Sequence, residues 1–121
     1  MTKIGIELIE INKIKEKYEK SGEEFLKQYF TPLELKYCQK KTSPMQFYAG
    51  KLAAKIAVQK ALAGIRPDIK VPINCIEILN NKNGRSTAKV LSSYSFNFMG
   101  STIEISISKT DKLTTAIAMV E

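Results

Sequence analysis

Histidine is absent from this chain of 121 residues, and cysteine occurs only twice, at Cys38 and Cys75. Without imidazole there is no histidine-based triad, no histidine-ligated zinc and no imidazole general base. Two thiols are too few for a disulfide scaffold or a four-thiolate metal site, so reduced cysteines in a cytoplasmic protein are expected. No run approaches the ~18 apolar residues of a membrane span. The opening segment MTKIGIELIEI carries Glu7 and Glu10 and has no small-residue cleavage site, so it does not read as a signal peptide.

What is present is a hydrophobic fraction of 44%, enough for a core, with 26% charged residues. Those figures exclude a disordered tail and a collagen-like fibre. The length suits one domain spanning residues 1–121. Nineteen Lys and Arg against twelve Asp and Glu give a net charge of +7. That balance favours a polyanionic partner, whether nucleic acid, a phosphorylated small molecule or an acidic protein, and does not choose among them.

Apolar periodicity organises the chain. Residues 4–11, IGIELIEI, read as a strand, and Ile11, Ile14 and Tyr18 continue at helical spacing to about Lys20, with lysines on the other face. Ser21 with Glu24 offers a capping box for a short helix ending near Phe30. Thr31-Pro32-Leu33-Glu34 is a second helix start: cap, proline at the first helical position, glutamate at the third. Ser43-Pro44 repeats the cap-proline pattern, and a long alanine-rich helix runs from there to Gly64, its expected C-cap. The second half reads as β: Ile73 to Leu79, a turn over 80–84, and a return over Thr87 to Leu91. Residues 92–100 receive no assignment. Ile103, Ile105 and Ile107 alternate with polar residues in a half-buried strand, and Lys109 to Lys112 turn the chain into a last strand, Leu113 to Val120. The expected class is α+β, an N-terminal strand and helices followed by an antiparallel sheet.

Three segments carry a resemblance: Gly5-Ile6-Glu7-Leu8-Ile9-Glu10-Ile11; Phe47 to Leu62, FYAGKLAAKIAVQKAL; and Ser106-Ile107-Ser108-Lys109 followed by Ala116-Ile117-Ala118. In this order and spacing the chain resembles holo-acyl carrier protein synthase, the small bacterial type of 4'-phosphopantetheinyl transferase. Phe30 to Glu34 and Asn83-Gly84-Arg85 add weaker matches. The resemblance implies a transferase that moves the phosphopantetheine group of coenzyme A to a serine of an acyl carrier protein, in fatty acid biosynthesis. It also implies a homotrimer with the site between subunits, and Mg²⁺ held by two carboxylates.

Carried over residue by residue, it implies catalytic roles for Glu7, Lys60 and Lys109. Coenzyme A would be bound by Lys51, Lys55, Lys60, Gly64, Gly84, Arg85, Ser108 and Lys109. Lys13 and Lys17 would dock an acidic carrier-protein helix. This chain departs from the family at the site itself. Glu7 stands for an aspartate at the first metal position, Ile56 replaces the second carboxylate, and Lys109 replaces a histidine. Magnesium is therefore expected to bind weakly or not at all, with Glu7 as its one protein ligand. Two other readings remain open at this point: a degenerate member that binds coenzyme A or a carrier protein without turnover, and a small basic nucleic-acid-binding domain. The chain has no interleaved aromatic-basic strand and no zinc-finger spacing to support the last.

Overall fold

A computed structural model describes residues 1–121. The elements, in chain order, are β1 (Lys3–Glu10), α1 (Ile11–Ser21), α2 (Glu23–Tyr29), α3 (Pro32–Gln39), α4 (Pro44–Ile65), β2 (Ile76–Asn80), β3 (Ser86–Val90), α5 (Tyr94–Asn97), β4 (Ile103–Lys109) and β5 (Leu113–Val120). The α+β class is as expected. The antiparallel strands divide into two hydrogen-bonded sheets, one of order β1-β5-β4 and one formed by the β2–β3 hairpin.

The last strand is thus central, and the first strand in sequence closes one edge. Lys3 pairs with Val120 and Glu10 with Leu113, while on the other side of β5 Ile103 pairs with Val120 and Lys109 with Thr114. The helix α4 lies across one face of this sheet. Its Ala53, Ala54, Ala57 and Ala61 are fully buried, as are Ala118 and Val120 opposite, so the layer is built of small side chains. Small side chains let backbones approach, and at Gly5 the approach is extreme: an added Cβ would lie 1.9 Å from the carbonyl oxygen of Ala57. A second cluster gathers Ile11, Ile14, Phe25, Leu26, Phe30 and Cys38 against the first turns of α4.

The opposite face of the main sheet is uncovered. Ile4, Ile6 and Leu8 of β1 are 57%, 58% and 58% exposed, and Ile117 and Met119 of β5 stand beside them, 38% and 43% exposed. Ile4 is opposite Met119 and Ile6 opposite Ile117, so the five side chains form one apolar patch.

Several local expectations are corrected. The Ser21–Glu24 box does not form, because Gly22, at φ 59°, is the N-cap of α2 and no side chain caps it. The box at Thr31 does form, with both reciprocal bonds. Gly64 is not a C-cap: α4 continues to Ile65 and Arg66 follows it. The strand expected from Ile73 opens with a 3₁₀ turn over Ile73–Cys75, and pairing starts at Ile76. Residues 92–100 hold the single-turn helix α5.

Candidate active site

The capping box at the start of α3 delivers more than a helix end. Glu34 Oε1 accepts from Thr31 N at 2.9 Å and from Lys55 Nζ at 2.5 Å, and Oε2 accepts from Ile78 N at 2.7 Å. Lys55 Nζ also donates to the Tyr29 carbonyl at 2.6 Å and lies over the Phe30 ring. Both charged side chains are wholly buried. Burial holds the Lys55 ammonium below its ordinary pKa, and the Glu34 carboxylate opposes that shift. A second buried carboxylate, Glu77, accepts from the Thr31 hydroxyl at 2.6 Å. Lys55, expected among the coenzyme A ligands, is instead consumed in joining α4 to α2 and α3, and no part of it reaches the surface.

One turn earlier on α4, Lys51 is drawn inward in the same way. Its Nζ donates to the Ile78 carbonyl and to Asn80 Oδ1, both at 2.7 Å, and lies 4.5 Å from the Tyr37 ring centroid. Two N–H groups are spent on carbonyl-type acceptors and the ammonium rests on a ring face, so Lys51 positions the hairpin instead of offering a free cation. Asn80 passes the constraint to Ser86 through a 3.1 Å bond.

These contacts shape a cleft of about 210 Å³ lined by Tyr37, Phe47, Lys51, Asn80, Gly84 and Lys109, among others. Lys109 lies at the end of β4 with its Nζ 3.4 Å from the Phe47 centroid. Lys41 stands over both rings, 4.6 Å from Tyr37 and 5.2 Å from Phe47. Partial burial lowers the Lys109 pKa. Cationic heads seated on aromatic faces around a polar floor suit an anionic group such as a phosphate. Gly84, at φ 82°, forms the turn above the cleft; Arg85 and Ser108 are exposed near its rim in sequence. Cys38 lies beneath, and burial pushes its thiol up to about 12, which leaves it protonated and unreactive at neutral pH.

Glu7 and Lys60 come together elsewhere. Lys60 Nζ donates to Glu7 Oε1 at 3.0 Å and to the Ile6 carbonyl at 3.1 Å. Lys60 is nine residues beyond Lys51, which is about 14 Å along the α4 axis. A cleft of about 300 Å³ adjoins Lys60 and is lined by Gln59, Pro67, Ile69, Lys70 and Val71 as well. Gly64 is next to this cleft in sequence, but the space beside its Cα is filled by the Lys3 stem. Ile56, one turn before Lys60, is half-buried against the second core cluster. Lys13 and Lys17 are exposed on α1.

The donor set does not suit the magnesium that the family resemblance implies. Glu7 is the one carboxylate at this position and is already paired with an ammonium, while Ile56 offers no donor atom. Nowhere do three carboxylate, thiol or imidazole side chains converge.

Sequence reading missed Glu34, Glu77, Tyr37, Asn80 and Ser86. Only Glu34 left a signal, as the third residue of a capping box, and that motif explains one of its two oxygens.

Residues 3–117 match the family model of the 4'-phosphopantetheinyl transferase superfamily. The chain is 36% identical over 119 residues to the holo-[acyl-carrier-protein] synthase of Chlorobaculum tepidum, covering 98% of this chain and 97% of that one. It is 34% identical over 120 residues to the synthase of that name from Chloroherpeton thalassium, covering 98% and 96%. Among solved structures, the Helicobacter pylori holo-[acyl-carrier-protein] synthase in complex with coenzyme A superposes with a TM-score of 0.79 at 25% identity, covering 98% of this chain and 99% of that one. The fold is also that of the ACPS–CoA complex from Chronobacterium ammoniagenes, with a TM-score of 0.88 at 24% identity and coverage of 100% and 97%.

Proposed function

The chain belongs to the 4'-phosphopantetheinyl transferase superfamily, and we propose that it transfers the 4'-phosphopantetheine group of coenzyme A to a serine of an acyl carrier protein. The serine oxygen attacks the phosphorus that bears the pantetheine arm. A new P–O bond forms, the bond from that phosphorus to the bridging oxygen breaks, the serine proton is released, and adenosine 3',5'-bisphosphate departs. Such a reaction needs anionic oxygens held and neutralised. The observation that carries the reading is the cleft lined by Lys109, Tyr37 and Phe47, with Lys41 over both rings, on a chain whose whole length matches the synthases.

Mass spectrometry of an apo acyl carrier protein incubated with this protein and coenzyme A tests the assignment. A mass gain of one phosphopantetheine arm is expected. An unchanged carrier protein, with coenzyme A still bound by this protein, would favour the member without turnover. Salt-sensitive binding to random oligonucleotides in place of coenzyme A would favour the nucleic-acid reading.

Lys13 and Lys17 supply the exposed positive face on α1 that an acidic carrier-protein helix would seek, acting by steering that weakens with salt. The reading treats residues 1–121 as one transferase domain, working in the cytoplasm where holo-carrier protein enters fatty acid synthesis.

The apolar patch of Ile4, Ile6, Leu8, Ile117 and Met119 supports a homotrimer. So does the separation of Glu7 and Lys60 from the cleft at Lys109, since a subunit boundary could bring one group against the other group of a neighbour. Sedimentation equilibrium at micromolar concentration should return three times 13.6 kDa, and a stable monomer would overturn the assembly.

A further inference from the structure

The pairing at Lys60 bears on how a pyrophosphate is neutralised here, an inference that rests on the coenzyme A reading above. We propose that the Lys60 ammonium does the work of a divalent cation, that Glu7 is the residue positioning it, and that the protein engages the pyrophosphate of coenzyme A without a metal.

Mg²⁺ gives up its water reluctantly and is held through carboxylates and substrate phosphates. At this position one carboxylate is present, and its Oε1 already accepts from Lys60 Nζ at 3.0 Å. The neighbouring position on the same face of α4, four residues back, is the aliphatic Ile56. In the ligand-free protein a dication on Glu7 would stand against a fixed positive charge with no second protein anion to offset it.

Lys60 lies on the exposed side of α4. Its ammonium is pinned by two acceptors, Glu7 Oε1 and the Ile6 carbonyl at 3.1 Å, and three N–H donors leave one over. The side chain is 52% exposed, so the remaining donor is open to a ligand. Two acceptors on separate groups fix where the charge sits before any ligand arrives, which is what a preorganised electrostatic site requires. The adjoining cleft of about 300 Å³ adds a second ammonium, Lys70, over a floor of Pro67, Ile69 and Val71. Two lysines on one cleft match the two adjacent anionic phosphates of a pyrophosphate diester.

Titration calorimetry of the whole protein with coenzyme A, in EDTA and again in Mg²⁺, tests this together with a titration of the ligand-free protein by Mn²⁺. Affinities within about twofold in the two buffers are expected, with Lys60→Met weakening both by about tenfold and Lys60→Arg recovering most of the loss. Ile56→Glu, which supplies the second carboxylate, should gain Mn²⁺ binding that the unaltered protein lacks. A tenfold loss of coenzyme A affinity on chelation, or Mn²⁺ binding by the unaltered free protein with a Kd below about 1 mM, would overturn the proposal and leave the coenzyme A reading intact. Failure to bind coenzyme A in either buffer would overturn that reading, and this proposal with it.

Discussion

Replacing Glu34 with alanine is expected to remove about 3–5 kcal/mol of folding stability, the largest effect of any single polar substitution in the chain. The change leaves the fully buried Lys55 ammonium with the Tyr29 carbonyl as its one hydrogen-bond acceptor, and it orphans the backbone N–H groups of Thr31 and Ile78. A buried charge without a counterion is far more costly than a missing pair. Urea denaturation should therefore show the midpoint collapse in Glu34→Ala, while Glu34→Leu combined with Lys55→Met should lose much less than either single change. Additive losses in the double variant would show that the ion pair is not the unit that matters. The consequence reaches the cleft, because Glu34 and Lys51, with the Thr31–Glu77 bond, tie β2 to α3 and α4, and the β2–β3 hairpin shares no ladder with the main sheet.

Gly5→Val is expected to cost at least about 3 kcal/mol, at the upper end of overpacking penalties or beyond. The added Cβ meets backbone, namely the Ala57 carbonyl oxygen at 1.9 Å, its carbon at 2.9 Å and Ala61 N at 3.0 Å, so no side-chain rotation relieves it. The helix must lift from the sheet and open the alanine layer along its length. Gly84 makes the contrast: nothing lies within 4 Å of its missing Cβ, and its φ of 82° is the sole objection to a side chain. Alanine there should cost about 1 kcal/mol. Circular dichroism melts of the two variants compare them directly, and equal losses would show that conformational strain, not the closeness of β1 and α4, governs Gly5.

Both effects bear on what could be read in advance. The close contact of β1 with α4 was half legible, since alanines at 53, 57 and 61 mark a surface made for close approach without naming the strand that meets it. The face of β1 that turned out uncovered was legible as apolar alternation, and the same alternation would have suited a buried strand. Ile56 as a position without a donor atom was legible from the residue alone.

The sequence by itself determined most of the elements, α5 and several boundaries excepted, and the family: periodicity, a proline-marked capping box and three spaced segments are local properties, and local sterics and hydrogen bonding enforce them. It determined nothing about the fates of its lysines. Lys51, Lys55, Lys60 and Lys109 are chemically identical and three of them share one helix, yet one is sealed against Glu34, one is tied to the Ile78 carbonyl, one stands exposed beside Glu7 and one rests on the ring of Phe47. Those outcomes depend on which distant element packs opposite each ammonium, because water removal and the nearest acceptor, rather than the residue or its neighbours in sequence, decide whether a charge is structural or free to meet a ligand.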